Sequence, residues 1–190
     1  MQKREFIVVM ASVAGLSVIS ACTTTGPGGG DPAARRQAID GNADAALARL
    51  YTQISGSKEL VSSARGVLVF PTVVSAGFIV GASSGEGVLR EAGKTTAFYR
   101  MTEASVGLLA GAQSQAVFVL FMTPQALEQF KASRGWTAGA DGSIALINVG
   151  ANARIDTQTV QQPIVGFVLT NAGLMANLSL NGNRFTRLDL

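Results

Sequence analysis

The chain has 190 residues, 47% of them hydrophobic and 14% charged, with a formal net charge of +3, one cysteine and no histidine. The missing imidazole excludes Ser-His-Asp and Cys-His catalysis and histidine-ligated metal sites, and a single thiol cannot form a disulfide within the chain. So slight a positive balance also argues against nucleic acid, which demands a clustered basic stripe.

Lys3 and Arg4 precede a mostly apolar run, Phe6 to Ile19, and small residues then lead to Cys22. This is the three-part layout of a secretory signal peptide. The run is too short for a membrane-spanning helix, which needs roughly 20 apolar residues. Ile19-Ser20-Ala21-Cys22 resembles a bacterial lipobox, and that resemblance implies acylation of Cys22 as the mature N-terminus. At about 0.8 kcal/mol per buried CH₂, one acyl chain anchors marginally and two or more anchor stably. Thr23 resembles an outer-membrane sorting signal. The expected organisation is a signal peptide at 1–21, an acylated start and flexible tether at 22–31, and one domain at 32–190. The mature chain of 169 residues carries 13 basic and 11 acidic side chains, and its length suits one hydrophobic core. The expected location is the bacterial outer membrane, lipid-anchored, with the domain in the periplasm.

After the Thr- and Gly-rich tether at 23–30, Asp31-Pro32 supplies an N-cap and a first-turn proline. Ile39, Ala43, Ala46, Leu47, Leu50 and Ile54 recur at steps of three and four, predicting a helix with one buried stripe. Arg35, Arg36 and Arg49 are read as lying largely off that stripe. Ser57 is expected to cap a second helix ending near Ala64. Short runs suited to strands follow at Val67–Phe70, Ala76–Val80, Gly87–Leu89, Ala97–Arg100 and Ser105–Leu108. The segment Gln115–Met122 is nearly all apolar, as for a strand buried on both faces. Thr123-Pro124 then starts a helix to about Ala132 with Leu127 and Phe130 inward. Further strands are expected at Ser143–Val149, Ile164–Leu169, Met175–Leu180 and Arg184–Leu188, with turns at Asn171-Ala172-Gly173 and Asn181-Gly182-Asn183. The fold class is α+β: a curved, mostly antiparallel sheet or partial barrel of short strands, with N-terminal helices and one inserted helix packed on it.

Catalytic signatures are weak. Ser55-Gly56-Ser57-Lys58 matches the S-x-x-K spacing of penicillin-binding enzymes, but S-D-N is absent and Lys94-Thr95-Thr96 is not K-T-G. Gly87 to Thr95 imitates a phosphate loop with one residue too many. Asp40-Gly41-Asn42-Ala43-Asp44 starts like a calcium loop, then has Ala45 where glycine is needed and Tyr51 where glutamate belongs. Glu86 and Asp141 are candidate acid/base carboxylates better read as turn or strand-end residues. No enzyme activity, metal or cofactor is expected.

Arg65-Gly66-Val67-Leu68-Val69-Phe70-Pro71, then Ala76-Gly77-Phe78 and Gly85-Glu86-Gly87-Val88-Leu89, resemble the opening of the SYLF lipid-binding domain family. Ser105-Val106-Gly107, Gly111-Ala112-Gln113, Phe121-Met122-Thr123, Gly135-Trp136 and Gly173-Leu174-Met175-Ala176 continue the resemblance, which runs from about Ala33 to the C-terminus. The chain looks most like the bacterial branch, whose members are often lipoproteins. In that family the yeast branch is known for actin binding and the animal branch for phosphoinositide binding through a basic N-terminal helix. Eukaryotic members usually carry Gly-Trp-Ser-x-Pro before the Ser-Val-Gly strand; Thr96-Ala97-Phe98-Tyr99-Arg100 stands there instead, so binding of anionic phospholipid is the part the resemblance implies here.

Two functions are expected. In the first, Arg35, Arg36, Arg49 and Lys58 face anionic phospholipid headgroups, each adding about 1 kcal/mol near the surface, while the Cys22 acyl chains hold membrane lipid close. In the second, the domain is an envelope scaffold that binds other envelope proteins, marked by exposed phenylalanine, Trp136 or Met175.

Overall fold

In the computed structural model, helix α1 (Pro32–Gln53) opens the described part of the chain, which comprises residues 31–77, 80–106, 111–147, 161–170, 173–174 and 179–190. The signal peptide, Cys22 and tether expected from the sequence fall outside the described residues. Asp31 caps α1 through its side chain, which accepts from the Ala33 amide at 3.0 Å, and Pro32 occupies the first turn. Ile39, Ala43, Ala46, Leu47 and Leu50 are buried, so the predicted stripe is the packed one.

Helix α2 (Ser57–Ser63) begins differently from expectation. Gly56, in a left-handed conformation, is its N-cap. The buried Ser57 hydroxyl instead donates backwards, to the carbonyls of Ile54 at 2.6 Å and Leu50 at 3.2 Å. It thus adds a second donor to carbonyls at the end of α1 that already accept from the Ile54 and Ser57 amides.

Four strands follow: β1 (Gly66–Gly77), β2 (Val80–Glu91), β3 (Lys94–Val106) and β4 (Gly111–Phe121). They are 11 to 13 residues long, not the short runs expected. Pro71 was a natural place to end a strand, but it sits where the register of β1 shifts against both neighbours, at a bulge. A missing amide does no harm there. The glycine- and serine-rich stretch from Gly81 to Gly87 pairs throughout with β3. At Gly87 the strands need the missing side chain: a Cβ would lie 2.2 Å from the Val69 carbonyl oxygen. The run Ala76–Val80 is not one strand, because Gly77 pairs antiparallel with Gly81 and the chain reverses between them.

Helix α3 (Pro124–Ala132) is capped by Thr123, whose hydroxyl accepts from the Ala126 amide at 3.3 Å. Short strands complete the sheet: β5 (Trp136–Thr137), β6 (Ala145–Leu146), β7 (Ile164–Thr170), β8 (Gly173–Leu174) and β9 (Arg184–Leu188). Of the predicted 143–149 strand, Ala145–Leu146 forms a strand, 143–144 and 147 do not, and 148–149 lie outside the described residues; of the predicted 175–180 strand, 175–178 lie outside them and 179–180 are not in a strand. The order is β5-β9-β3-β2-β1-β4-β7-β6, with β8 on β7. All pairs are antiparallel except β6 with β7, and the sheet curls into a half-barrel.

Its two faces hold two cores. Val67, Val69, Val88, Phe118, Leu120 and Phe167 point towards α1 and α2. Leu68, Phe70, Leu89, Val119 and Phe121 point the other way, towards α3, β5 and β9. Phe130 of α3 centres that second core, with ring centroids 4.8 Å from Phe121, 4.9 Å from Tyr99 and 5.7 Å from Trp136.

Phe130→Ala is expected to lower unfolding free energy by about 3–5 kcal/mol in denaturant titration. Val80→Ala, at an exposed position, should stay within about 0.5 kcal/mol. Equal effects at the two sites would refute the placement of this core.

Candidate functional site

Helix α1 reaches the sheet through two charge clusters. In the first, Glu86 of β2 accepts two hydrogen bonds from Arg35, Nε to Oε2 at 3.1 Å and Nη2 to Oε1, and a third from Arg100 Nη2 at 2.7 Å. Glu86 and Arg100 are cross-strand partners, so opposite charges sit on one face of the sheet. Burial pushes the Glu86 carboxyl upward, but the bonds from Arg35 and Arg100 outweigh it and hold the pKa below the ordinary value. Arg36 meanwhile donates to the backbone carbonyl of Leu190.

In the second cluster Arg90 reaches back from β2 to α1. Its Nη2 lies 2.6 Å from Asp40 Oδ1 and its Nη1 2.5 Å from Asp44 Oδ1. Thr95 donates to Asp40 at 2.6 Å, and this bond, followed by Arg90, lowers the Asp40 pKa. Thus the aspartates of the spurious calcium loop are ligands of a guanidinium. Among the described residues no group of three or more Cys, Asp or Glu side chains could hold a metal ion.

The four cations expected to meet a lipid headgroup therefore divide. Arg35 and Arg36 are half-buried and engaged internally. Arg49 and Lys58 are exposed, and no hydrogen bond or ion pair engages either side chain among the described residues. Helix geometry explains the division. Arg35 stands four residues before Ile39, and Arg36 seven before Ala43, so both begin the buried stripe that they were read as avoiding. Arg49 lies well round from it. Arg65, just beyond α2, is a further exposed cation without such a partner, which the pattern of the helices did not single out.

Other candidates are absorbed by the fold. Asp141 accepts from the Thr137 amide at 2.7 Å. Trp136 is only 3% exposed, so it forms no surface patch; Met175 lies outside the described residues. The exposed large hydrophobics among the described residues are Val74 and Val80. No helix among them is long and apolar enough to cross a membrane.

Glu86 gives the site a pH dependence with a definite sign. Its folded pKa is depressed, so its stabilisation is full above the ordinary value of 4.5 and is lost as pH falls through the lower folded value. Acid titration followed by circular dichroism should show the wild type losing stability below about pH 4.5, whereas Glu86→Gln, weaker at pH 7, should show a flatter profile. Identical pH profiles would show that the Arg35–Glu86–Arg100 cluster contributes nothing.

With this geometry in view, residues 102–189 match the family model described as Ysc84, Las17-binding protein actin regulator. The match spans β3, β4, α3 and the remaining strands; α1, α2, β1 and β2 precede it. No curated protein matches the chain. The SYLF family is associated in general with binding of lipids or regulation of actin. The stretch from Thr102 to Asp189 is thus similar to the SYLF family.

Proposed function

We propose that the protein is a lipid-anchored envelope protein whose SYLF domain binds anionic phospholipid at a membrane surface, without catalysis. The observation that carries this reading is the pair of exposed, unengaged cations Arg49 and Lys58 on the α1–α2 layer, joined to a leader that ends in Ile19-Ser20-Ala21 immediately before Cys22. Arg65, two residues past the end of α2, is a third exposed cation close in sequence. The acyl chains of Cys22 supply the anchor, at the bacterial outer membrane by the reading of Thr23, and the helices supply headgroup contacts. A tethered domain meets lipid at high local concentration, so two or three weak contacts suffice. Arg35 and Arg36 hold α1 on the sheet and support the surface without touching headgroups. Actin regulation, the activity in the family's description, has no counterpart in a bacterial envelope.

Sedimentation of residues 22–190 carrying Cys22→Ser tests the headgroup contacts. Binding to phosphatidylglycerol vesicles is expected to exceed binding to phosphatidylcholine and to weaken with salt. Arg49→Ala/Lys58→Ala should cost about 2 kcal/mol, or roughly thirtyfold, at about 1 kcal/mol per cation. Unchanged binding by the double variant would remove this layer from the account. In cells, labelled palmitate should enter the intact chain and not Cys22→Ser; equal labelling would remove the anchor.

A further inference from the structure

An open cavity of about 410 Å³ lies between the C-terminal half of α1, helix α2 and the turn joining β2 to β3. Its volume falls within the roughly 300–1,000 Å³ of small-ligand sites. The walls are apolar: Leu47 and Tyr51 come from α1, Val61 and Ala64 from and just beyond α2, and Val67 from β1. Burial pushes the Tyr51 phenol above its ordinary pKa, leaving it a neutral donor at physiological pH.

Three features distinguish this cavity from a packing defect. Lys58 lines it while exposed and without a partner among the described residues. Arg90 also lines it, and although Asp40 and Asp44 occupy its two terminal nitrogens, its buried Nε has no hydrogen-bond partner. Such orphans are rare, because an unmatched buried donor is costly. The third feature is Ala92. It forms the two-residue β2–β3 turn with Gly93, and both have positive φ, 49° and 78°, as a type I′ hairpin turn requires. Asn, Asp or Gly ordinarily fills such a position, because a Cβ is disfavoured in the left-handed region. Here the chain places alanine instead, and that residue lines the cavity. Backbone strain of this kind gathers at ligand sites.

From these features we infer that the cavity is a binding site for one long-chain fatty acid, with its hydrocarbon against the apolar walls and its carboxylate at Lys58. The charge at the mouth selects the class. An apolar slot with the unengaged ammonium of Lys58 at its edge complements an anionic amphiphile and repels a cationic one. This deepens the membrane-surface reading and rests on it: Lys58 serves both, and the bilayer is the source of the ligand.

The test uses the full chain in phosphatidylcholine vesicles with a diazirine-bearing palmitate, photolysed and mapped by mass spectrometry. Label is expected within residues 47–67 and 90–93, and excess unlabelled palmitate should suppress it at least tenfold. Hexadecyltrimethylammonium, with the same chain and the opposite charge, should not. Lys58→Glu, an exposed change that the fold tolerates, should reverse that preference, and Val61→Trp should fill the slot and reduce labelling about tenfold. Label scattered over the chain, or displaced equally by both amphiphiles, overturns the inference. If selective sedimentation with phosphatidylglycerol persists without saturable labelling, the cavity fails and the membrane-surface reading stands; loss of both removes both.

Discussion

Burial of β1 on both faces is the constraint from which the other layers follow. Val67, Leu68, Val69 and Phe70 are at most 7% exposed, and their alternation sends Val67 and Val69 into one core and Leu68 and Phe70 into the other. At about 1.5–3 kcal/mol for each fully buried side chain of this size, this tetrapeptide outweighs the partly exposed ion pairs, whose median contribution is about 0–1 kcal/mol each. A strand so placed cannot lie at an edge. It needs neighbours on both sides, which β2 and β4 provide, and covering layers above and below. Helices α1 and α2 form one cover, while α3 with the curled β9 and β5 end of the sheet forms the other.

The ion pairs then act as locators more than as a source of stability. The apolar stripe of α1 would tolerate some sliding along a surface of valines. Glu86 with Arg35, and Arg90 with Asp40 and Asp44, fix the helix at two points more than a turn apart. Arg36 adds the end of the chain to the same arrangement, with Leu190 packed against the helix-side core. These contacts take up the cations of the first turns of α1 and leave Arg49 and Lys58 further along facing water. A helix basic at both ends in sequence is thus open at one end only in the folded protein.

Much of this was legible in the chain. Asp31-Pro32 and Thr123-Pro124 mark two helix starts because capping and proline chemistry are local. The run from Gln115 to Met122 announces a doubly buried strand, and Arg184–Leu188 was read with its observed bounds. What escaped depends on partners distant in sequence. Gly85 and Gly87 look like turn residues until the carbonyls of Thr72 and Val69 are seen where their side chains would stand. Pro71 looks like a strand end until the bulge is known. The sequence reading sets Arg35 and Arg36 off the apolar stripe and against headgroups, although their spacing from Ile39 and Ala43 puts them on the packed side. Ser57 looked like a cap and proved to be a buried donor to the end of the preceding helix. The strained Ala92-Gly93 turn carried a sequence hint, alanine where asparagine is usual, but only the cavity beside it gives the substitution a meaning.

The central claim is that the α1–α2 layer, and not the α3 side, meets the membrane. Hydrogen exchange of the full chain in vesicles with and without phosphatidylglycerol tests it most directly. The account predicts added protection in the C-terminal half of α1, in α2 and around the Ala92-Gly93 turn, with exchange in α3 unchanged. Protection confined to α3 and the Trp136 strand, with α1 and α2 unaffected, would contradict it.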